Sequence, residues 1–166
     1  CMGVYFVAWK GLKKLAVEAA PHNTEASLEG TRLEDVVVVT GNPDCPQNAE
    51  GLEVGSSYEF EAEQWFRVSD NRREYWDWLN ALARLVGYHW QNPDANGPGP
   101  FRELILYGRH TGTIGAIASA KLVSDFGTWD ERARSIKDDA FYEHYALMRS
   151  MFEYAATDGA VEFRCC

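Results

Sequence analysis

The fold of this chain is decided by the stretch Tyr75-Trp76-Asp77-Trp78-Leu79-Asn80-Ala81-Leu82-Ala83-Arg84-Leu85-Val86-Gly87-Tyr88-His89-Trp90. The stretch holds three of the six tryptophans, and its apolar residues recur at steps of three and four. This spacing predicts an amphipathic helix that buries Trp76, Leu79, Leu82, Ala83 and Val86. We expect Ser69 or Asp70 to cap the helix from about residue 71, and Gly87 to end it in the left-handed conformation.

Strand patterns come before this helix. Residues 4–9 are rich in β-branched and aromatic side chains, and four valines at 36–39 form an apolar run, so both segments are predicted strands, the second one buried. Residues 58–68 begin with strict alternation, which predicts one strand with Tyr58, Phe60 and Ala62 on one face and Glu59, Glu61 and Glu63 on the other. Residues 10–20 are predicted as a short helix.

The remaining segments alternate between loops and helices. Residues 44–57, a possible surface excursion, and residues 91–100 are predicted loops, because glycine and proline interrupt both. Residues 101–107 fit a strand or a short helix, and another helix covers about 114–126. A last long helix starts near Thr128, where Glu131 completes a capping box. Its apolar stripe comprises Phe141, Tyr145, Met148, Phe152 and Ala155, and a strand follows at 160–163.

Together these elements predict an α+β fold in a single domain, residues 1–166, whose small and mainly antiparallel sheet packs on about three helices. A chain of 166 residues is long enough to build this core without disulfides. The four cysteines form no metal-type pair and are expected to be free thiols. Cys1, which precedes Met2, is expected to be an addition to the native sequence.

Charge is distributed unevenly along the chain. Residues 18–63 contain eleven acidic side chains and one basic side chain, a net charge of −10, whereas the rest of the chain carries +1. This excess opposes nucleic-acid phosphates and favours either a basic protein partner or a solvated acidic surface. Neither an apolar run of membrane-spanning length nor a secretory signal is present, so a cytoplasmic location is expected.

Two sets of residues are candidates for partner binding. Glu59, Glu61 and Glu63 would form an acidic strand face, with a solvated surface as the alternative. Three exposed carboxylates at phosphate-like spacing would also suit mimicry of DNA. Tyr88 and Trp90, beside the predicted loop at 91–100, would offer rigid aromatic anchors, with a role in the core as the alternative.

A glycine-rich turn is the best place to look for ligand chemistry. Backbone N–H groups at a helix N-terminus bind anions, and the side chains of Arg109 and His110 in the turn would also contact an anionic ligand. It matches neither nucleotide-binding fingerprint, so a tight structural turn is the alternative. No metal site or cofactor is expected, and the absence of a catalytic signature argues against an enzyme. The ligand candidates are Gly108, Arg109, His110, Thr111, Gly112 and Thr113.

Several motifs resemble a family of uncharacterised proteins from bacteria and their phages and plasmids. They are YWxWLxxLAxLxGY from Tyr75, GPFxELI from Gly99, GTIG from Gly112 and SAKLxxDF from Ser119. The similarity covers roughly residues 57–163 and implies no activity. In that family a Ser-Asp-Cys-Glu-like segment precedes the GxIG turn. Here Gly108-Arg109-His110-Thr111 takes its place, so any chemistry of that segment would be lost.

These observations predict a non-enzymatic acidic interaction protein that binds a basic protein surface. The resemblance implies a phage or mobile-element origin, and the segregated acidic charge favours a role of the inhibitor, immunity or anti-defence type. The alternative is a small-molecule or nucleotide-binding protein, or an enzyme, that uses the turn between Gly108 and Gly115 with Arg109 and His110. Nucleic-acid binding and membrane association are not expected. The sequence does not indicate an oligomeric state.

Overall fold

Two antiparallel β-sheets and a layer of helices make up the described part of the chain, which comprises residues 3–16, 35–92, 97, 99–108 and 112–165 of a computed structural model. The described part has seven strands, five α-helices and one short 3-10 helix. The strands are β1 (Val4–Lys10), β2 (Lys13–Lys14), β3 (Val36–Val38), β4 (Ser57–Glu59), β5 (Ala62–Ser69), β6 (Thr113–Gly115) and β7 (Ala160–Cys165). The fold is α+β, as the sequence predicts.

The helices follow the predicted order with changed boundaries. Three long helices carry most of the helical core, and two short ones connect them. They are α1 (Arg72–Val86), α2 (Arg102–Ile105), α3 (Ala116–Thr128), α4 (Asp130–Ser135) and α5 (Asp139–Ala155), with the 3-10 helix at Pro46–Ala49.

The larger sheet has the strand order β5-β1-β7-β6, so the first and last strands of the described chain lie at its centre. β1 pairs in antiparallel fashion with β5 on one side and with β7 on the other. Because side chains alternate along a strand, Phe6 and Ala8 face the helices while Val7 and Trp9 face away from them. Both faces of β1 are therefore buried.

The helical face of this sheet carries the main core. The predicted stripe of α5 is confirmed: Phe141, Tyr145, Met148, Phe152 and Ala155 are all buried. An aromatic group joins three helical segments, since the Phe126 ring meets the rings of Phe101 and Tyr145 at centroid distances of 4.8 Å. The hydroxyl of buried Tyr145 donates to the Phe126 carbonyl at 2.6 Å.

The decisive helix, α1, is present but its buried face differs from the prediction. Leu79, Leu82 and Ala83 are buried as expected, whereas Trp76 is 38% exposed and Val86 is half-buried. Tyr75 and Trp78 are buried instead. Both polar atoms find carbonyl partners, since the Tyr75 hydroxyl donates to Gly108 and the Trp78 indole donates to Phe141. Burial of a tyrosine or tryptophan is favourable when its O–H or N–H group has a hydrogen-bond partner.

The ends of α1 agree with the predicted helix to within one residue. Asn71, not Ser69 or Asp70, is the N-cap, and its side-chain oxygen accepts from the Glu74 N–H at 2.9 Å. Gly87 ends the helix in the left-handed conformation with a φ of 68°, as expected for a C-terminal glycine.

The smaller sheet, with strand order β2-β4-β3, covers part of the other face of the larger sheet. A second apolar cluster joins the two sheets and comprises Val7, Trp9, Val37, Val39, Ala49, Tyr58 and Ala160. The prediction of a fully buried valine strand is wrong, because Val37 and Val39 are buried but Val38 is 51% exposed. An edge strand with one solvent face produces this alternation.

The predicted single strand at 58–68 is in fact two strands in two different sheets. β4 ends at Glu59, and the chain bends at Phe60 and Glu61 before β5 begins at Ala62. The Glu61 N–H donates to the Lys10 carbonyl, which secures the bend against the end of β1. Glu59, Glu61 and Glu63 therefore do not form one strand face.

The predicted helix at 10–20 is wrong for residues 10–16. β1 runs to Lys10, Gly11 turns the chain with a φ of 70°, and β2 forms at Lys13–Lys14. The Leu15 N–H continues this pairing by donating to the Ser57 carbonyl. Residues 17–20 lie outside the described residues.

Three boundaries differ in the second half of the chain. Residues 102–105 form a helix, so the strand alternative for 101–107 is wrong. Thr113–Gly115 is a strand, and α3 starts only at Ala116. The last long helix does not start near Thr128, since Thr128 ends α3 and α5 begins at Asp139. The Asp138 carboxylate caps α5 by accepting from the N–H groups of Ala140 and Phe141.

The predicted loop at 44–57 is irregular apart from the 3-10 helix, but it is anchored to the fold. Cys45, Asn48 and Ala49 are buried, and the Cys45 thiol donates to the Asn48 side-chain oxygen. It is therefore not merely a surface excursion. In the other predicted loop, residues 93–96 and 98 lie outside the described residues.

Candidate functional site

A groove of about 420 Å³ lies where the smaller sheet leaves the face of the larger sheet uncovered. One wall is β3 with Thr40, and Gly112 lies at the rim. The other lining residues come from β1, β5 and β7 and are Trp9, Glu63, Trp65, Glu162, Phe163 and Arg164. We call this site the β3 groove.

Two large apolar side chains of the β3 groove are open to solvent. Trp65 is 55% exposed and Val38 is 51% exposed. The exposed Trp65 indole donates to Glu63 Oε1 at 3.0 Å, and the buried Trp9 indole donates to Glu63 Oε2 at 2.9 Å. Glu63 therefore holds both indoles, and it places a negative charge beside an exposed aromatic surface.

A buried carboxylate lies deeper in the groove. Glu162 Oε1 accepts from the Thr113 hydroxyl at 2.7 Å, and Glu162 Oε2 pairs with the Arg164 guanidinium at 2.6 Å. Thr113 Oγ1 also accepts from the Thr40 N–H at 3.0 Å. This chain of contacts joins β7 and β6 to Thr40 at the end of β3. It therefore closes the groove at that end of the strand.

Of the three predicted acidic residues, only Glu63 lines the β3 groove. Glu59 is half-buried in β4, opposite Lys13 and Val36 in the two ladders, and Glu61 is exposed at the bend. Mimicry of DNA requires the three carboxylates to be exposed together in a regular row. The structure contradicts that arrangement, because Glu59 and Glu63 belong to different sheets, Glu61 lies at the bend between them, and Glu63 is bonded to two indoles.

Tyr88 and Trp90 lie together at the end of α1, away from the sheets. Their rings meet edge to face with centroids 4.8 Å apart, and Trp90 is 49% exposed. Tyr88 is half-buried and packs against the main core. Its hydroxyl is buried without a hydrogen-bond partner among the described residues. The pair combines a structural residue with an exposed one.

The described part of the glycine-rich turn has structural contacts. The Gly108 N–H donates to Leu104 at 2.8 Å, and its carbonyl accepts from the Tyr75 hydroxyl at 2.7 Å. Thr113 is buried and bonded to Glu162, and Gly112 packs near Asn42 with a φ of 139°. Arg109, His110 and Thr111 lie outside the described residues.

A second, more open groove of about 680 Å³ lies between β5, α1 and α5. His144 and Trp78 form part of its wall, and charged residues of both signs, including Arg67, Asp77, Arg84 and Glu143, line the rest. His144 Nε2 is buried with no hydrogen-bond partner among the described residues. Burial lowers the pKa of His144 from 6.5 to about 4, so this imidazole is neutral at physiological pH.

Other common kinds of site have no support in the described residues. Within residues 3–16, 35–92, 97, 99–108 and 112–165, no group of three or more His, Cys, Asp and Glu side chains is placed to hold a metal ion. Burial raises the pKa of the Cys45 thiol, which disfavours the reactive thiolate. None of the helices in these ranges combines the length and apolar character needed to cross a membrane.

Sequence reasoning missed Trp65, Val38 and Glu162. The signal for Trp65 was present, since Trp65 and Phe66 are adjacent in a predicted strand and adjacent strand residues face opposite sides. One of the two had to face away from the helical core.

Comparison with known proteins identifies no relative: no protein-family model matches the chain, and no curated protein or solved structure is significantly similar to it. The fold and the groove define an α+β protein with an exposed aromatic and acidic surface. The resemblance of residues 57–163 to an uncharacterised family stays a prediction.

Proposed function

We propose that this protein is a non-enzymatic interaction protein that binds a basic surface of another protein at the β3 groove. In keeping with the family resemblance, the proposal includes a phage or mobile-element origin. In keeping with the acidic charge, it includes a role as an inhibitor, immunity or anti-defence protein. The observation that carries the proposal is the exposed Trp65 indole bonded to the Glu63 carboxylate.

Trp65 and Glu63 suit a basic partner for two physical reasons. A tryptophan supplies a large contact area at a low cost in conformational entropy, and its face attracts lysine and arginine cations. Glu63 would pair with the same cations. Because Glu63 also orients both indoles, the surface is ordered before the partner arrives, which reduces the entropy lost on binding.

The segment that contains β3 and Glu63 has an excess of negative charge. The seven acidic residues between positions 35 and 63 are accompanied by no lysine, arginine or histidine. Six of them are exposed and Glu59 is half-buried. The exposed lysines Lys13 and Lys14 lie on β2, at the opposite edge of the smaller sheet from β3, and Lys14 pairs with Glu53. The net negative charge of residues 35–63 would accelerate association with a basic protein.

The test is affinity capture from a bacterial lysate, followed by identification of the captured proteins. The bait is the wild type or the double variant Glu63→Gln/Trp65→Ala, at about 0.05 and about 0.3 M salt. We expect a basic protein that is retained by the wild type at low salt, weakened at high salt and lost with the double variant.

Trp90→Ala is the matched control, because it removes an exposed tryptophan outside the groove. It should retain the partner. Capture that depends on Trp90 but not on Glu63 and Trp65 would place the binding surface at the end of α1 and contradict the proposal. The absence of any salt-sensitive basic partner would contradict it as well.

A further inference from the structure

Among the described residues, β3 has hydrogen-bonded neighbours along one edge, where it meets β4. Val37 pairs with Tyr58 of β4, and the pairing continues at Val39, whose N–H donates to Ser56 at 3.0 Å and whose carbonyl accepts from Gly55 at 2.8 Å. In an antiparallel ladder, the N–H and C=O groups of successive residues point to opposite sides. Those of Val36 and Val38 therefore point away from β4.

Thr40 confirms the direction of this second edge. Its N–H donates to Thr113 Oγ1 at 3.0 Å, and its carbonyl accepts from the Thr113 N–H at 2.8 Å. Thr40 is two residues after Val38, so its backbone groups face the same side. Thr113 thus pairs with the backbone of Thr40 on this side of the strand, and it does not reach the backbone groups of Val38 and Val36. Among the described residues, no backbone group pairs with Val36 or Val38 on this side.

The open edge faces the β3 groove. Three consecutive residues, Val36, Val37 and Val38, line the groove. Their side chains alternate between the two faces of the strand, so a groove that touches all three runs along the strand edge. Trp65 and Glu63 lie on the same groove, where they would meet the side chains of a segment placed along that edge.

We propose that the free edge of β3 accepts an extended segment of a basic partner protein as an added β-strand. This inference rests on the proposed function and names the manner of binding. Val36 and Val38 offer two N–H and two C=O groups, which suits a segment of roughly five residues. Apolar side chains of the segment contact Trp65, and its basic side chains pair with Glu63 and with the exposed Asp35 beside β3.

Charge complementarity favours a basic segment over an acidic one at this edge. Asp35 directly precedes β3 and Glu63 lines the groove, whereas Arg164, the one cationic residue lining the groove among the described residues, is paired with Glu162. An acidic segment would be repelled, and a helical segment would leave the backbone groups of Val36 and Val38 without partners.

The test uses a synthetic peptide in which lysine and valine alternate over seven residues. Binding to the whole protein is measured by fluorescence anisotropy, with a glutamate–valine peptide as the charge control. The informative variant is Val38→Pro, which removes the N–H that faces the groove and no bond to β4. Proline is tolerated at such edge positions. Val38→Thr is the matched control, because it keeps the N–H and a β-branched side chain.

A second arm does not depend on the folding of any variant. Two modified lysine–valine peptides are used, one with backbone N-methyl groups on the odd-numbered residues and one with them on the even-numbered residues. Charge and side chains stay the same in both. We expect Val38→Pro to weaken binding by about tenfold or more, and one of the two methylated peptides to bind more weakly by the same factor. Val38→Thr should weaken binding far less than Val38→Pro, because the N–H is retained. Amide hydrogen exchange at Val36 or Val38 should slow when the peptide is bound.

Three results would overturn the inference. The first is salt-sensitive peptide binding that neither Val38→Pro nor methylation weakens, which rejects strand addition while the proposed function stands. The second is a pair of results: the basic peptide does not bind, and the Val38→Pro variant still binds a basic partner that the wild type captures. The third is a dimer of this chain, seen in sedimentation and abolished by Val38→Pro, which assigns the edge to a second copy. Failure of the proposed function is recognised separately, by the absence of any captured basic partner.

Discussion

The imidazole of His144 lies flat on the indole of Trp78, with ring centroids 4.3 Å apart and planes within 10° of parallel. The Trp78 indole is itself fixed, since its N–H donates to the Phe141 carbonyl at 3.2 Å. α1 and α5 are thus joined by two stacked rings at the side of the larger groove. The His144 side chain is half-buried with its Nε2 atom enclosed, and its lowered pKa keeps the imidazole neutral near pH 7 in the folded state.

Stability should fall as the pH is lowered through the range in which His144 gains a proton. The pKa of His144 is about 4 in the folded protein and near 6.5 when the chain is unfolded, so the unfolded state binds the proton first. This contribution is complete above pH 6.5 and is lost as the pH falls to about 4, with a maximum of about 3 kcal/mol. Urea unfolding at several pH values measures it.

The variant His144→Phe should flatten the pH dependence in this window, because phenylalanine stacks on Trp78 without titrating. His89→Gln, at an exposed histidine, is the control and should keep the wild-type profile. An unchanged slope in His144→Phe would show that other groups cause the loss of stability in acid.

The two tryptophans of α1 should differ strongly in their contribution to stability. Trp78→Ala removes a buried ring and should cost about 3 to 5 kcal/mol, whereas Trp76→Ala, at a partly exposed position, should cost about 1 kcal/mol. Thermal unfolding of both variants measures the difference. The reverse order would mean that the helix buries the face expected from its spacing alone, not the face seen here.

Gly159 allows the turn after α5 to approach β1 closely. A Cβ at this position would overlap the Trp9 carbonyl oxygen, so Gly159→Ala should destabilise the protein by several kcal/mol or prevent folding. Gly127→Ala is the matched control. In α3 the nearest atom to a new Cβ is the end of the Arg149 side chain at 3.8 Å, and the substitution should stabilise by about 0.5 to 1 kcal/mol. Equal melting temperatures for the two variants would contradict this account.

Thr113 should be more important for stability than its small side chain suggests. Thr113→Val removes the hydroxyl that links the Glu162 carboxylate to the Thr40 N–H, and should cost about 1 to 3 kcal/mol. Thr128→Val is the control, because that exposed hydroxyl donates only to the Ser124 carbonyl within α3. Denaturant titration of both variants provides the comparison. If both changes are equally small, the contact does not hold the two sheets together.

Periodicity predicted those parts of the fold in which one pattern covers a whole element. The stripe of α5 from Phe141 to Ala155, the β-rich segment of β1 and the glycine at the end of α1 are local signals, and all three are confirmed. The antiparallel pairing also followed from the fold class. The buried face of α1 was shifted because Tyr75 and Trp78 find carbonyl acceptors at residues distant in sequence, Gly108 and Phe141.

Bends that depend on distant contacts could not be predicted from local patterns. In the sequence, apolar and acidic residues alternate from Tyr58 to Glu63, and nothing in this pattern marks a break at Phe60 and Glu61. The chain nevertheless changes sheets there, because the Glu61 N–H donates to the Lys10 carbonyl. Similarly, the two residues of β2 form a strand only because β4 lies beside them. These outcomes depend on which backbone groups meet in three dimensions.

The candidate site was predicted only in part. The acidic character of the region and the residue Glu63 were evident in the sequence, whereas the position of β3 at the edge of the smaller sheet, in the part of the chain that the structure describes, is a property of strand order. Trp65 could have been recognised as a surface residue beside the buried Phe66. Its position against Val38 follows only from the packing of the smaller sheet on the larger one.

The central pairing of β1 with β7 also constrains how this protein is made in the cell. Val4 pairs with Cys165 and Trp9 with Ala160, so β1 gains this neighbour only after the chain has been synthesised through β7. Contacts between such distant segments slow folding and leave apolar strand surface exposed in the meantime. The nascent chain therefore passes through a period in which β1 lacks its central neighbour. Chaperones that bind extended apolar segments would be most useful to this protein before β7 has been synthesised.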